Sequence, residues 1–316
     1  MKNGLRHIKT MLLFVLLVGT MPLFYSQQMG TRSHYFIQEY LLNPAFTGSK
    51  DYNPFYLSYR QQWAKFANSP EFFSSSGYYT INNTSSVSGS FYRAKQGSEF
   101  SQTLGQFNYS HDFHFHQNAH LTFGGGLILD QFNADFSGVD VIDVNDPAFY
   151  ESVNIFNVDA ALGVKYFLHR FKLGFSVSNL FGSNMSQSGQ SSLYNKRLRE
   201  YITIAQYDFT IDSLLHLEPL LVHKFIPESN MQLLDFSLLA TYNKSYTLGI
   251  SYRTSATASL IGGIQYKRFY FLYSHEINVS NVANFLGSNN EITAGYRFKL
   301  HPDKIYVDND MDGIIN

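Results

Sequence analysis

From Thr103 to His116 the side chains alternate between two kinds. Odd positions carry Phe107, Tyr109, Phe113 and Phe115; even positions carry Gln106, Asn108, Ser110, Asp112, His114 and His116. Neighbouring residues of an extended chain point to opposite faces, so this segment has one apolar and one polar face. The pattern recurs: Phe156, Val158, Ala160, Leu162, Val164 and Tyr166 alternate with Asn157, Asp159, Gly163 and Lys165. It returns at Phe171–Val177, at Tyr246–Tyr252 and at Ile292–Phe298. The first of these segments is long enough to cross a hydrocarbon layer as a tilted strand, which takes about 9–11 residues.

A soluble sandwich also alternates, so the choice between sandwich and barrel rests on other features. Aromatic residues make up 17% of the 316 residues and charged ones only 15%. Past the N-terminus no run approaches the roughly 20 apolar residues of a membrane helix. Tyr and Phe bound the apolar rows, as interface girdles would, and the polar rows carry Asp159, Lys165, Arg253 and Arg297 among glycines. Tight connections (242–246 and 266–269) contrast with a long polar one (182–199), the asymmetry of an outer-membrane barrel. The expected fold is therefore all-β: a transmembrane antiparallel β-barrel of about fourteen strands over residues 54–299. Its solvent would include membrane lipid, and a polar, water-filled lumen is expected.

The N-terminus reads as a signal peptide over residues 1–26, with Lys2, Arg6 and Lys9 ahead of the apolar stretch from Met11 to Val18. The implied location is the cell outer membrane. There is no cysteine, which removes disulfides, thiol catalysis and thiolate metal sites. The net charge of −1 gives no reason to expect nucleic acid as a partner. No Gly-x-Ser-x-Gly motif is present, and with 11 His chance pairs with Ser carry no signal. Neither an enzyme nor a cofactor is expected.

Residues 27–53 precede the strands. They contain Tyr40-Leu-Leu-Asn-Pro-Ala-Phe-Thr-Gly48, in which Asn43-Pro44 starts a turn and Gly48 can take the positive φ that ends it. This segment reads as a periplasmic docking element, a lumen plug, or a rigid lead-in to the first strand. Next come Tyr59-Arg-Gln-Gln-Trp63 and Pro70; near the end stands Gly287-Ser-Asn-Asn-Glu-Ile-Thr-Ala-Gly-Tyr-Arg-Phe298. In type, order and spacing these motifs resemble the PorP/SprF family of Bacteroidetes outer-membrane proteins, with Tyr252-Arg253 also in place. Asn289-Asn290 departs from the His that the family usually has before the Glu.

The resemblance implies a component of the type IX secretion and gliding machinery. It would scaffold periplasmic or OmpA-like partner proteins, or anchor a secreted adhesin. The alternative is a general porin or small-molecule channel. The candidate partner-binding residues are Asn43, Pro44, Phe46, Gly48, Arg60 and Trp63; Trp63 also suits a plain interface anchor.

Two other clusters read more plainly. His111, His114, His116 and His120 crowd a strand end, where imidazoles usually form a polar rim, so no metal is expected there. The polar tail, residues 300–316, places Asp308, Asp310 and Asp312 as the opening of a calcium loop that stops before a full set of ligands. A hydrated acidic tail explains them as well.

Overall fold

The computed structural model describes residues 32–116, 118–136, 153–182, 197–279 and 287–300. The expected signal peptide, most of the 182–199 connection, and the tail with Asp308, Asp310 and Asp312 lie outside the described residues. No helix among the described residues is long and apolar enough to cross a membrane.

The chain forms a closed antiparallel barrel of 14 strands. They are β1 (Tyr52–Gln61), β2 (Glu71–Thr80), β3 (Ser85–Gln96), β4 (Phe100–His116), β5 (Ala119–Ala134), β6 (Val153–Leu168) and β7 (Phe171–Ser178). Then follow β8 (Glu200–Tyr207), β9 (Leu215–Ile226), β10 (Met231–Tyr242), β11 (Tyr246–Arg253), β12 (Thr257–Tyr266), β13 (Phe269–Asn278) and β14 (Asn289–Lys299). Phe209–Thr210 prolongs β8 after a break at Asp208 and pairs with the same neighbour, β9. Each strand pairs with its neighbours in sequence, and β1 pairs with β14 from Tyr52↔Lys299 to Gln61↔Asn290. The ring thus has no free edge, and every strand's backbone polar groups find partners without water.

The two ends differ. At the end where β1 begins and β14 finishes, the connections are 81–84, 117–118, 169–170, 211–214, 243–245 and 267–268. Three of these use left-handed residues, His169, Asn243–Lys244 and Lys267, which lets the chain reverse sharply. The opposite end carries the longer connections 62–70, 135–152, 179–199 and 279–288.

Burial is inverted relative to a soluble protein. Phe107, Tyr109, Phe156, Leu162, Leu248, Leu260 and Ile292 face outward and are exposed, while Asn108, Ser110, Asp159, Lys165, Ser237 and Thr293 face inward and are buried. Only a lipid exterior makes this arrangement favourable. The outermost positions at the short-turn end include Tyr79, Tyr166, Tyr242, Tyr246 and Tyr266, an aromatic girdle at one interface.

The lumen is less aqueous than expected. Ile202, Ile204, Leu220, Val222, Leu239, Ile261 and Leu272 point inward and are buried against residues 35–46. Both faces of β10 are therefore apolar in part, one toward lipid and one toward the interior.

Leu162 lies midway along β6 on the outward face. Leu162→Arg is expected to cost about 2–4 kcal/mol if it lies near the bilayer midplane. The denaturant midpoint of the lipid-embedded barrel, followed by heat-modifiable mobility, would show this loss. An unchanged midpoint would place Leu162 outside the hydrocarbon.

Candidate functional site

The segment from Ser33 to Thr47 runs inside the ring as three single-turn 3₁₀ helices, His34–Ile37, Glu39–Leu41 and Pro44–Phe46. Short turns of this kind leave carbonyls unpaired, and the wall supplies donors for them. Asn108 Nδ2 donates to Tyr40 O (3.1 Å), Ser176 to Leu42 O (2.8 Å) and Ser110 to Thr47 O (2.9 Å). Tyr40 in turn donates to Ser76 (2.8 Å) and packs edge-on against Tyr78. The segment fills the lumen as a plug.

The lower half of the plug is the Asn-Pro-Ala-Phe turn. Asn43 Oδ1 accepts from Ala45 N–H (2.9 Å), capping the turn, and Asn43 Nδ2 donates to Val164 O (3.2 Å) on the wall. The wall strands β5, β6 and β7 carry glycines where the turn touches them. A Cβ at Gly163 would lie 2.9 Å from Asn43 Cγ and one at Gly174 would lie 3.0 Å from Phe46 Cζ; one at Gly124 would lie 2.7 Å from Ala45 Cα. These glycines are needed for close approach, and the fit explains why the turn can be completely enclosed. Lys165 closes the contact: its Nζ donates to Ser49 (2.8 Å) and sits 5.6 Å from the Phe46 ring centre. Within the plug, Lys50 pairs with Glu39 (3.3 Å). Burial is the largest single influence on Lys50 and lowers its pKa, but Glu39, Tyr52 and Glu218 together raise it above its ordinary value.

The upper half of the plug meets a buried charge network near the longer connections. Arg60 of β1 pairs with Glu276 of β13 (2.5 Å) and Glu291 of β14 (3.3 Å). Arg253 of β11 pairs with Asp235 of β10 (2.7 Å) and reaches Glu276 at 3.9 Å. The plug completes this network. Ser33 N–H donates to Glu291 (2.7 Å), its hydroxyl meets Glu276, and Tyr35 donates to Asp235 (2.8 Å). Arg32 stands over the Tyr92 ring at 4.8 Å and beside Glu291, so three guanidiniums face three carboxylates. Burial holds the His34 pKa below its ordinary value, so at neutral pH it is an uncharged hydrogen-bond partner of Thr293 (2.7 Å) rather than an ion-pair partner of Glu291. A void of about 10 Å³ remains beside Arg32, Arg60 and Tyr92, room for about one water.

The six candidate residues divide accordingly. Asn43, Pro44, Phe46 and Gly48 come together inside the lumen, and Gly48 has the expected positive φ of 78°. Arg60 belongs to the charge network in the other half. Trp63 lies outside the lumen, half-buried in the 62–70 connection, where its N–H donates to Asn289 (3.0 Å). They do not form one surface open to a partner, because Asn43, Phe46 and Arg60 are almost wholly enclosed. Sequence reasoning missed Asp235, Glu276 and Glu291. Their signal was a charge at an inward position of a spanning strand, which needs a partner.

A family model for "Type IX secretion system membrane protein PorP/SprF" matches residues 25–296. The chain belongs to the PorP/SprF family. It is a membrane protein of type IX secretion located in the outer membrane. Solved structures similar to this PorP/SprF chain include the Ralstonia pickettii toluene transporter TbuX, at 10% identity and TM-score 0.47, covering 83% of this chain and 93% of that one. A Pseudomonas aeruginosa FadL homologue is similar at 11% identity and TM-score 0.48, covering 82% and 93%. The KdgM porin is similar at 10% and 0.40, covering 78% and 99%. No curated protein sequence matches the chain.

Two substitutions test the plug. Because the chain has no cysteine, Ala45→Cys places a unique thiol in it. That thiol is expected to resist a bulky membrane-impermeant maleimide in the folded barrel and to react once Gly174→Leu displaces Phe46. Labelling without the second substitution would show that the turn leaves the lumen readily. Arg60→Ala leaves Glu276 and Glu291 short of their cation and is expected to destabilise the barrel by about 3–5 kcal/mol, read as a lower unfolding midpoint.

Proposed function

We propose that this PorP/SprF barrel works as a closed scaffold, holding periplasmic type IX secretion partners or anchoring a secreted adhesin at the outer membrane, with no catalytic role. The observation that carries this reading is the filled lumen. A general porin needs a continuous aqueous path, whereas here the plug takes the space and is fixed by hydrogen bonds at both ends. With the interior occupied, partners are left the two rims, and the plug acts on them indirectly by holding the wall strands in place. The porin reading keeps less support because it requires the plug to leave.

Replacing both Asn43 and Pro44 by Ala loosens the turn while leaving the sequence of every spanning strand unchanged. If the barrel is a scaffold, it still inserts and keeps heat-modifiable mobility, while cargo secretion or gliding falls together with partner co-purification. Single-channel recordings on the purified wild-type barrel should show no large steady conductance. A large conductance, or a rise in solute uptake by the double variant with secretion unchanged, would favour the channel instead.

A further inference from the structure

We propose that Asp112, His114 and His120 form a divalent transition-metal site, of the kind zinc occupies, at the short-turn lip of the β4–β5 hairpin. Asp112 and His114 lie two apart on the inward face of β4, and His120 stands opposite His114 in the register of β5. The antiparallel β4–β5 pairing brings the three together, and one ligand atom from each lies within 4.8 Å of the others. Asp112 Oδ2 is 3.5 Å from His120 Nδ1 and 3.8 Å from His114 Nε2. Zinc–ligand bonds of about 2.0–2.2 Å in a tetrahedral site put the donors about 3.3–3.6 Å apart, so small rotamer changes complete the set.

The surroundings favour a metal over a plain polar rim. Thr122 donates its hydroxyl to Asp112 Oδ1 (3.0 Å), which leaves Oδ2 as the free oxygen turned toward both imidazoles. Such a partner orients a metal-binding carboxylate. The two rings meet edge-on with centres 4.3 Å apart, and the far side of His120 rests on Phe167 at 5.3 Å. His120 is largely buried, yet its Nδ1 has no hydrogen-bond partner of good geometry among the described residues. His114 is the more exposed ligand, so a fourth position opens to solvent at the rim. His111 is not part of the site: it faces outward, where it contacts Ser85 and packs on Phe113. Lys165, across from Thr122 on β6, adds a nearby positive charge that weakens cation binding, although its ammonium is turned to Ser49 in the plug. Two imidazoles, one carboxylate and no thiolate select zinc-like cations over calcium or magnesium.

The test uses the full mature chain, without a histidine tag, purified in detergent and checked for folding by heat-modifiable mobility. Zinc titrated against a chromophoric chelator should reveal one tight equivalent per chain, and cobalt in its place should give the visible absorption of a low-symmetry site. Both signals should vanish in the folded His114→Ala and His120→Ala variants and persist in His111→Ala. Thr122→Val should weaken zinc about 10–100-fold while leaving the ligands in place. Absence of a stoichiometric site in the wild type would overturn the assignment. So would binding that survives in folded His114→Ala and His120→Ala, or that is lost equally in His111→Ala.

Discussion

Every strand of this barrel lies between two surroundings that exclude bulk water. Lipid covers the outer face, and the plug covers most of the inner one. Backbone polar groups therefore have to be satisfied within the ring, which the closure of β1 on β14 achieves. Side chains face the same demand twice over. Outward residues are mostly apolar, while many inward residues are polar and matched to a plug group, as Asn108, Ser110 and Ser176 are, or apolar and packed on Tyr35, Phe36, Ile37 and Tyr40. The plug thus acts as a second core, and the barrel wall is complementary to one particular segment of its own chain.

This double burial explains what the sequence revealed and what it hid. Strands such as β4 and β11 were legible because their two faces meet different media, giving a period of two. Met231–Tyr242 was less legible. It reads Met-Gln-Leu-Leu-Asp-Phe-Ser-Leu-Leu-Ala-Thr-Tyr, in which Leu239 faces the plug and Leu238 lies on the other face. Alternation fades where both media are apolar. The strand count and the tight turns at 243–245 and 267–268 emerged correctly because they depend on local pattern alone.

Contacts of the plug were beyond local reading. Ser33 and Glu291 are separated by 258 residues, and Asn43 and Val164 by 121. Nothing near Asn43 says whether its turn faces solvent or a wall. The information sits instead in Gly124, Gly163 and Gly174, scattered over three strands and explained only by a backbone or ring pressing on them. The histidines depend on register in the same way: spacing along one strand gives no metal pattern, whereas the β4–β5 pairing places His120 opposite His114.

The plug also ties together the two ends of the barrel. Its upper part completes a network of guanidiniums and carboxylates drawn from β1, β10, β11, β13 and β14. Its lower part is held by β4 to β7 through Asn108, Ser110, Lys165 and Ser176. These two groups of strands are different arcs of the ring, so the plug is a strut across it as well as a filling. Burying side chains such as Tyr35, Phe36 and Phe46 contributes roughly 1.5–3 kcal/mol each. Separating a buried ion from its partner costs about 3–5 kcal/mol. Several such terms act at once, and all of them oppose withdrawal of the plug. Loosening the strut at the Asn43 turn frees the β4–β7 arc while the Arg60 network keeps its own arc in place. A strut of this kind suits a protein whose task is to present fixed rims, because the same contacts that close the lumen set the spacing of the strands on either side of it.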